Sequence, residues 1–123
     1  MTLDSNIIIA YLAGERDVIE TLSGWKQQGL PLFLPAIVEA EVLAFPKLSP
    51  KEQREVEQFL EQNFLLVAFD RTHARFTAKI RKETKVKFPD AAIASTALLT
   101  NSPLVTRNVR DFQKISGLSI VEI

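Results

Sequence analysis

Apolar positions recur at helical spacing over most of the chain and are broken by short apolar runs, and this alternation carries the fold prediction. Leu3 marks a very short strand that gives way to Asp4-Ser5-Asn6. The apolar Ile7–Leu12 behind it fits a helix capped by Ser5 or Asn6 and stopped at Gly14. Val18, Leu22 and Trp25 then repeat at helical spacing until Gly29 and Pro31 end a second helix. Leu32–Leu34 reads as a strand, and Pro35 as the start of a helix in which Ile37, Ala40 and Ala44 share a buried face beside Glu41. Phe45–Ser49 is the longest irregular connection. Ser49-Pro50-Lys51-Glu52 combines an N-cap serine, proline at the first helical position and a capping-box glutamate, so a helix begins there, with Val56, Phe59 and Leu60 as its buried stripe.

Phe64–Phe69 is a continuous apolar run too short for a buried helix, and it ends at Asp70, a cap for a helix that buries His73, Phe76, Thr77 and Ile80. Pro89 opens a further helix, Asp90–Leu99, whose Ala91, Ala92, Ala94, Ser95 and Ala97 allow close packing on a sheet and which Asn101 can close. Leu104–Val105 and Leu118–Val121 complete the set as strands. Strands separated by helices predict an α/β fold: a central parallel sheet of four to five strands, helices on both faces, and right-handed crossovers. A length of 123 residues, with no repeat or Gly/Ser linker, makes residues 1–123 one domain.

Composition narrows the chemistry more than the fold. There is no cysteine, which removes disulfides, thiolate zinc sites and cysteine nucleophiles together and fits a reducing compartment. His73 is the only histidine, so neither a His-rich metal site nor a histidine-based triad has much to draw on, and His73 itself reads as a helix-face residue. Acid–base or metal chemistry must rest on carboxylates. No segment approaches the ~18 apolar residues that span a bilayer, and the opening MTLDSN lacks the order of a signal peptide. The expectation is a cytoplasmic protein with no membrane association.

Fifteen basic and fifteen acidic residues cancel overall but are unevenly distributed. Residues 15–62 hold nine acids against five basic residues, whereas residues 71–114 hold ten basic residues against Glu83, Asp90 and Asp111. Taken alone the basic run reads equally as a solvated helix face or as a phosphate-binding surface.

In an open parallel sheet, ligands bind beyond the carboxyl ends of the strands. The polar residues that directly follow the apolar runs are Asp4, Asp70 and Thr106-Arg107-Asn108, and Glu41 and Asp90 join them as acids in early helical turns with core-like patterns. Each has a plain structural alternative. Asp4 could be a turn or cap, Glu41 a solvated helix position and Asp90 a charge favoured by the helix dipole, while Asp70 fits an N-cap with a Phe69–Ala74 staple.

The ordered set of motifs favours the functional reading. An LDSN strand exit, an acid six residues after Pro35, a PDAAIA helix start and an LVTRNVRDF strand exit together resemble the PIN-domain nucleases, over essentially the whole chain. The resemblance is greatest to the bacterial and archaeal group that includes the VapC-like toxins of toxin–antitoxin pairs. It implies that Asp4, Glu41 and Asp90 gather a catalytic Mg²⁺ or Mn²⁺, with Ser5, Asn6 and Thr106 supporting the same site. Many members carry an acid two residues after the threonine, where this chain has Asn108. Some VapC-like relatives also have asparagine there, with an acid three residues later, here Asp111. The resemblance then implies Asn108 facing the metal through its amide oxygen and Asp111 as an outer or second-metal ligand.

Clustered carboxylates repel one another unless a cation joins them, and Mg²⁺ and Mn²⁺ prefer hard oxygen ligands. The expected activity is hydrolysis of single-stranded RNA, with Arg81, Lys82, Lys85, Lys87, Arg107 and Arg110 holding the phosphate backbone. An antitoxin partner and a homodimer are implied by the resemblance alone. Two other readings stand beside this one. A receiver-domain phosphoacceptor shares the length and sheet type but wants paired acids after the first strand, where Asp4 is followed by Ser5-Asn6, and a late lysine, for which only Lys114 is available. A non-catalytic RNA- or protein-binding module on a PIN scaffold is the other, prompted by Asn108.

Overall fold

The computed structural model describes residues 1–44 and 47–123; Phe45 and Pro46, at the start of the expected Phe45–Ser49 connection, lie outside the described residues. Five short strands, β1 (Thr2–Leu3), β2 (Phe33–Pro35), β3 (Leu65–Val67), β4 (Leu104–Val105) and β5 (Ile120–Val121), form one sheet in the order β3-β2-β1-β4-β5. Every neighbouring pair is parallel. Seven helices connect them: α1 (Ser5–Leu12), α2 (Arg16–Gln27), α3 (Ala36–Ala44), α4 (Pro50–Asn63), α5 (Arg71–Glu83), α6 (Phe88–Leu99) and α7 (Val109–Phe112). The chain builds outward from β1 through β2 to β3, then crosses back to β4 on the other side. The right-handed rule for crossovers between parallel strands assigns α1–α4 and α5–α7 to opposite faces of the sheet. The β1/β4 boundary is the point where strand order reverses, the place where open parallel sheets commonly bind ligands.

The helix punctuation follows the residues. Gly14 and Gly29 both adopt left-handed backbone (φ 82° and 79°), and Glu15 and Leu30 N–H groups reach back to Ala10 and Trp25 carbonyls to close α1 and α2. Asn101, at φ 51°, plays the same part for α6, where Ser102 N–H donates to the Ala97 carbonyl. Ser49 and Glu52 form a reciprocal capping box at α4, and Asp70 caps α5 through His73 N–H at 3.0 Å.

The core runs through Leu3, Ile7, Ile8, Leu34, Val38, Leu104 and Val105, all essentially without solvent contact. Seven consecutive residues of α6, Ala91–Ala97, are buried, because their small side chains let the helix lie close to its neighbours.

Several sequence expectations need correction. Asp4, not Ser5 or Asn6, is the cap of α1: its carboxylate accepts from Ser5 N–H at 2.8 Å, which a charged acceptor does more strongly than a hydroxyl. Pro35 ends β2 rather than opening α3. On α3 the buried face is Val38 and Val42, while Ala40 and Ala44 are exposed; the larger β-branched pair takes the sheet-facing side. β3 is an edge strand, so Leu65 and Leu66 stay exposed despite their apolar run. Helix α7, between β4 and β5, gave no periodic signal because it is a single turn.

Candidate active site

Asp4 stands at the carboxyl end of β1, beside the point where strand order reverses, and is 5% exposed. One carboxylate oxygen accepts from Ser5 N–H; the other accepts from the Thr106 hydroxyl at 2.7 Å and, at 3.4 Å, from the Asn6 amide. Thr106 directly follows the adjacent strand β4 and is fully buried, and its hydroxyl oxygen also accepts from Asn108 N–H at 2.9 Å. Asn6 links the same segments, its amide oxygen accepting from Arg107 N–H at 3.3 Å. The two strand exits are thereby fastened to each other, and Asp4 has a single fixed orientation.

Glu41 comes from α3 and Asp90 from the first turn of α6, and both feel the charge of Asp4. Burial raises the Asp4 carboxyl above its ordinary value, against hydrogen bonds from Thr106 and Ser5 that lower it. Glu41 is raised by burial and then by the negative charge of Asp4, with a Ser5 hydroxyl opposing and Asp90 adding to the rise. Asp90 is raised by burial, by Asp4 and by Asp111, with Lys87 opposing. The charge of Asp4 is therefore felt by both Glu41 and Asp90. Glu41 Oε1 is buried and finds no hydrogen-bond partner, a costly arrangement for a carboxylate oxygen.

Among the described residues no three acidic or imidazole side chains lie close enough together to hold a metal ion as they stand. An open set of hard oxygen donors suits Mg²⁺, which is held by one or two carboxylates and keeps several waters. The orphaned Glu41 oxygen and the repulsion that Asp4 exerts on Glu41 and Asp90 fit such an ion.

Asn108 caps α7 and donates its amide N–H to Asp111 at 2.6 Å, leaving its amide oxygen free. Asp111 lines a cleft of about 740 Å³ together with Asp90. Arg81, Lys82, Lys85, Lys87, Arg110 and Lys114 line the same cleft, so five of the six basic residues singled out in the sequence come together beside Asp90 and Asp111. Arg107 does not. Its guanidinium forks onto Glu15, and its Nε donates to the Ile123 carbonyl at 3.2 Å, so it ties the α1–α2 turn to the end of the chain. Lys114 is the cleft residue that sequence reasoning passed over; its i+4 spacing from Arg110 was the available signal. Asp70, as expected of a cap, is occupied with His73, through both the backbone N–H and Nδ1 at 2.8 Å.

The sequence profile of the PIN domain matches residues 1–118. The chain belongs to the PIN domain family. This PIN domain is 24% identical to a protein named Ribonuclease VapC from Rickettsia bellii (strain RML369-C), in a match covering 100% of this chain and 96% of that one. Its fold superposes on a toxin–antitoxin complex from Klebsiella pneumoniae with a TM-score of 0.80 at 30% identity, covering 99% of this chain and 98% of that one. It also superposes on VapBC2 from Rickettsia felis bound to a promoter DNA fragment, with a TM-score of 0.86 at 22% identity, covering 99% and 97%. The VapC-like resemblance and the α/β fold expected from sequence hold, and the receiver-domain alternative falls. No helix among the described residues is long and apolar enough to cross a membrane.

The raised acids make a pH prediction for the metal-free protein. A carboxyl whose folded pKa lies above its unfolded value makes the native state hold more protons, so stability falls as pH rises from the ordinary values of 3.8–4.5 to the raised folded ones. In chelator at neutral pH, Asp90→Asn is expected to melt above wild type by about 1 kcal/mol in stability, a size limited by solvent around a half-buried group. The gap closes on acidification and narrows or reverses with Mn²⁺, which binds the folded wild type preferentially. Thermal melts across pH, with and without Mn²⁺, check this.

Proposed function

We propose that this PIN domain is a Mg²⁺- or Mn²⁺-dependent endoribonuclease that hydrolyses phosphodiester bonds of single-stranded RNA, and that it is the toxin of a toxin–antitoxin pair. The observation that supports the activity is the electrostatics of Asp4, Glu41 and Asp90, at the β1 exit, in α3 and in α6: burial raises all three, and the charge of Asp4 raises Glu41 and Asp90 further. Asp4, Glu41 and Asp90 would hold the ion, with Asp111 and the free amide oxygen of Asn108 on its outer side. A bound divalent ion supplies Lewis-acid stabilisation of the phosphodiester oxygens and a more acidic water. Thr106 and Ser5 hold Asp4 in place, and Asn6 fixes the two strand exits relative to each other. The cationic wall of the cleft positions the backbone so that the scissile phosphate lies over the acids.

The toxin assignment is supported by the similarity to a protein named Ribonuclease VapC and to a toxin–antitoxin complex at 30% identity. An antitoxin partner, a homodimer and a cytoplasmic location belong to the same proposal. Incubating the protein with single-stranded RNA in Mn²⁺, with a chelator control, tests the activity: cleavage in Mn²⁺ and none in chelator is expected, and an intact substrate in both would leave a binding module.

A variant separates the two ligand schemes at the fourth position. Asn108→Asp adds a full charge where many relatives carry one, so it is expected to tighten Mn²⁺ binding by roughly tenfold, since ligand charge is a main control on hard-cation affinity. Asp111→Asn should weaken binding less than Asp90→Asn does. Titration calorimetry reads both, and an unchanged affinity in Asn108→Asp would mean that residue 108 points away from the ion.

A further inference from the structure

Two aromatic side chains remain unexplained by the acids and the cationic cleft. Phe69 and Phe88 pack edge to face with ring centroids 6.0 Å apart, yet they are 38% and 44% exposed. Large rings left in water at a functional edge are more informative than scattered surface leucines. Phe88 is the first residue of α6, directly after Lys87 of the cleft and two residues before Asp90. Phe69 lies just beyond the carboxyl end of β3, two strands from β1, or about 10 Å laterally at the usual strand spacing. Neither ring lines the cleft itself, but Lys87 and Asp90, on either side of Phe88 in the chain, both do.

The pair is also held rigidly. Phe69 packs at 6.0 Å against the His73 imidazole, which is buried and fixed by Asp70 through Nδ1. A preordered ring gives up little freedom when it binds a planar partner. Cationic side chains that grip phosphates beside exposed rings form the combination by which proteins bind single strands, with bases stacked on aromatic faces. Six basic residues against three acids in the adjoining cleft supply the charge complementarity.

We propose that Phe88, backed by Phe69, is a stacking platform for a nucleobase next to the scissile phosphate, so that unpaired bases are selected over duplex. This rests on the nuclease reading above. Stacking demands a base lifted from its neighbours, which a helix does not offer without unpairing.

The test is binding in chelator, where no cleavage occurs, of a labelled single-stranded oligoribonucleotide and of its abasic counterpart of equal length. Phe88→Ala is expected to weaken the base-bearing strand about tenfold, leaving the abasic strand and the salt dependence unchanged, because no phosphate contact is lost. Phe88→Trp should restore binding, and Phe88→Leu, equally apolar but without a ring, should not; circular dichroism confirms that each variant is folded. Equal losses for both strands, or no loss for either, would overturn the platform. So would a Phe88→Ala protein that keeps its RNA affinity and loses only a protein partner. A wild type that bound neither strand would remove the nuclease reading itself, and the platform with it.

Discussion

Asp4→Asn, Glu41→Gln and Asp90→Asn are each expected to abolish metal-dependent cleavage, lowering the rate by at least about a hundredfold while the circular dichroism spectrum stays folded. The size follows from the role assigned to them. Removing one charged oxygen donor weakens the hold on an ion whose charge is needed when the phosphodiester gains charge in the transition state, where electrostatic stabilisation is commonly the largest contribution. Asp4 should be the most sensitive, because its carboxylate also caps α1 and accepts from Thr106, so its loss loosens both strand exits. Asp70→Asn serves as a contrast. That residue is exposed and engaged with His73, so its replacement should cost some stability of α5 and leave cleavage intact. Full activity in any one of the three site variants would remove that residue from the site.

Charge reversal of Arg81, Lys82 and Lys85 together is expected to weaken single-stranded RNA binding by about 10²–10³-fold at low salt. Three cationic contacts would be lost and replaced by repulsion. The slope of log affinity against log salt should fall by about 0.7 for each phosphate contact removed. Mn²⁺ affinity should hardly change, because none of the three is a ligand. Arg107→Ala is the informative control within the same basic set: with its guanidinium committed to Glu15, it should leave the salt slope nearly untouched. Anisotropy titrations over a range of salt concentrations read both results.

These residues also mark how much was legible in the sequence. The chain order of strands and helices could be read because the turn chemistry is explicit: Gly14, Gly29, the Ser49–Glu52 box and Asp70 all act as their positions predict. The acids were marked by the resemblance, but each alone had an ordinary structural reading, and Asp4 does cap a helix while its charge reaches Glu41 and Asp90. What periodicity could not supply was tertiary context. Val38 and Val42 rather than Ala40 and Ala44 face the core because the sheet lies on their side of α3, and Leu65 and Leu66 remain exposed because β3 happens to be the edge. Arg107 lies in the basic run by sequence but pairs across 92 positions with Glu15, a partner that no local pattern indicates. Conversely Lys114 joins the cleft only because α7 turns the chain back beside α5 and α6. The Phe69–Phe88 pair joins residues 19 positions apart, and it becomes visible only once α5 and α6 are packed together.

The central claim is that Asp4, Glu41 and Asp90 form one divalent-metal site, and a calorimetric titration of Mn²⁺ into wild type and the three single variants at neutral pH tests it most directly. Saturable binding in wild type, weakened at least about tenfold by each of the three substitutions and not by Asp70→Asn, is the predicted result. Mn²⁺ affinity that is the same in wild type and in all three variants would contradict it.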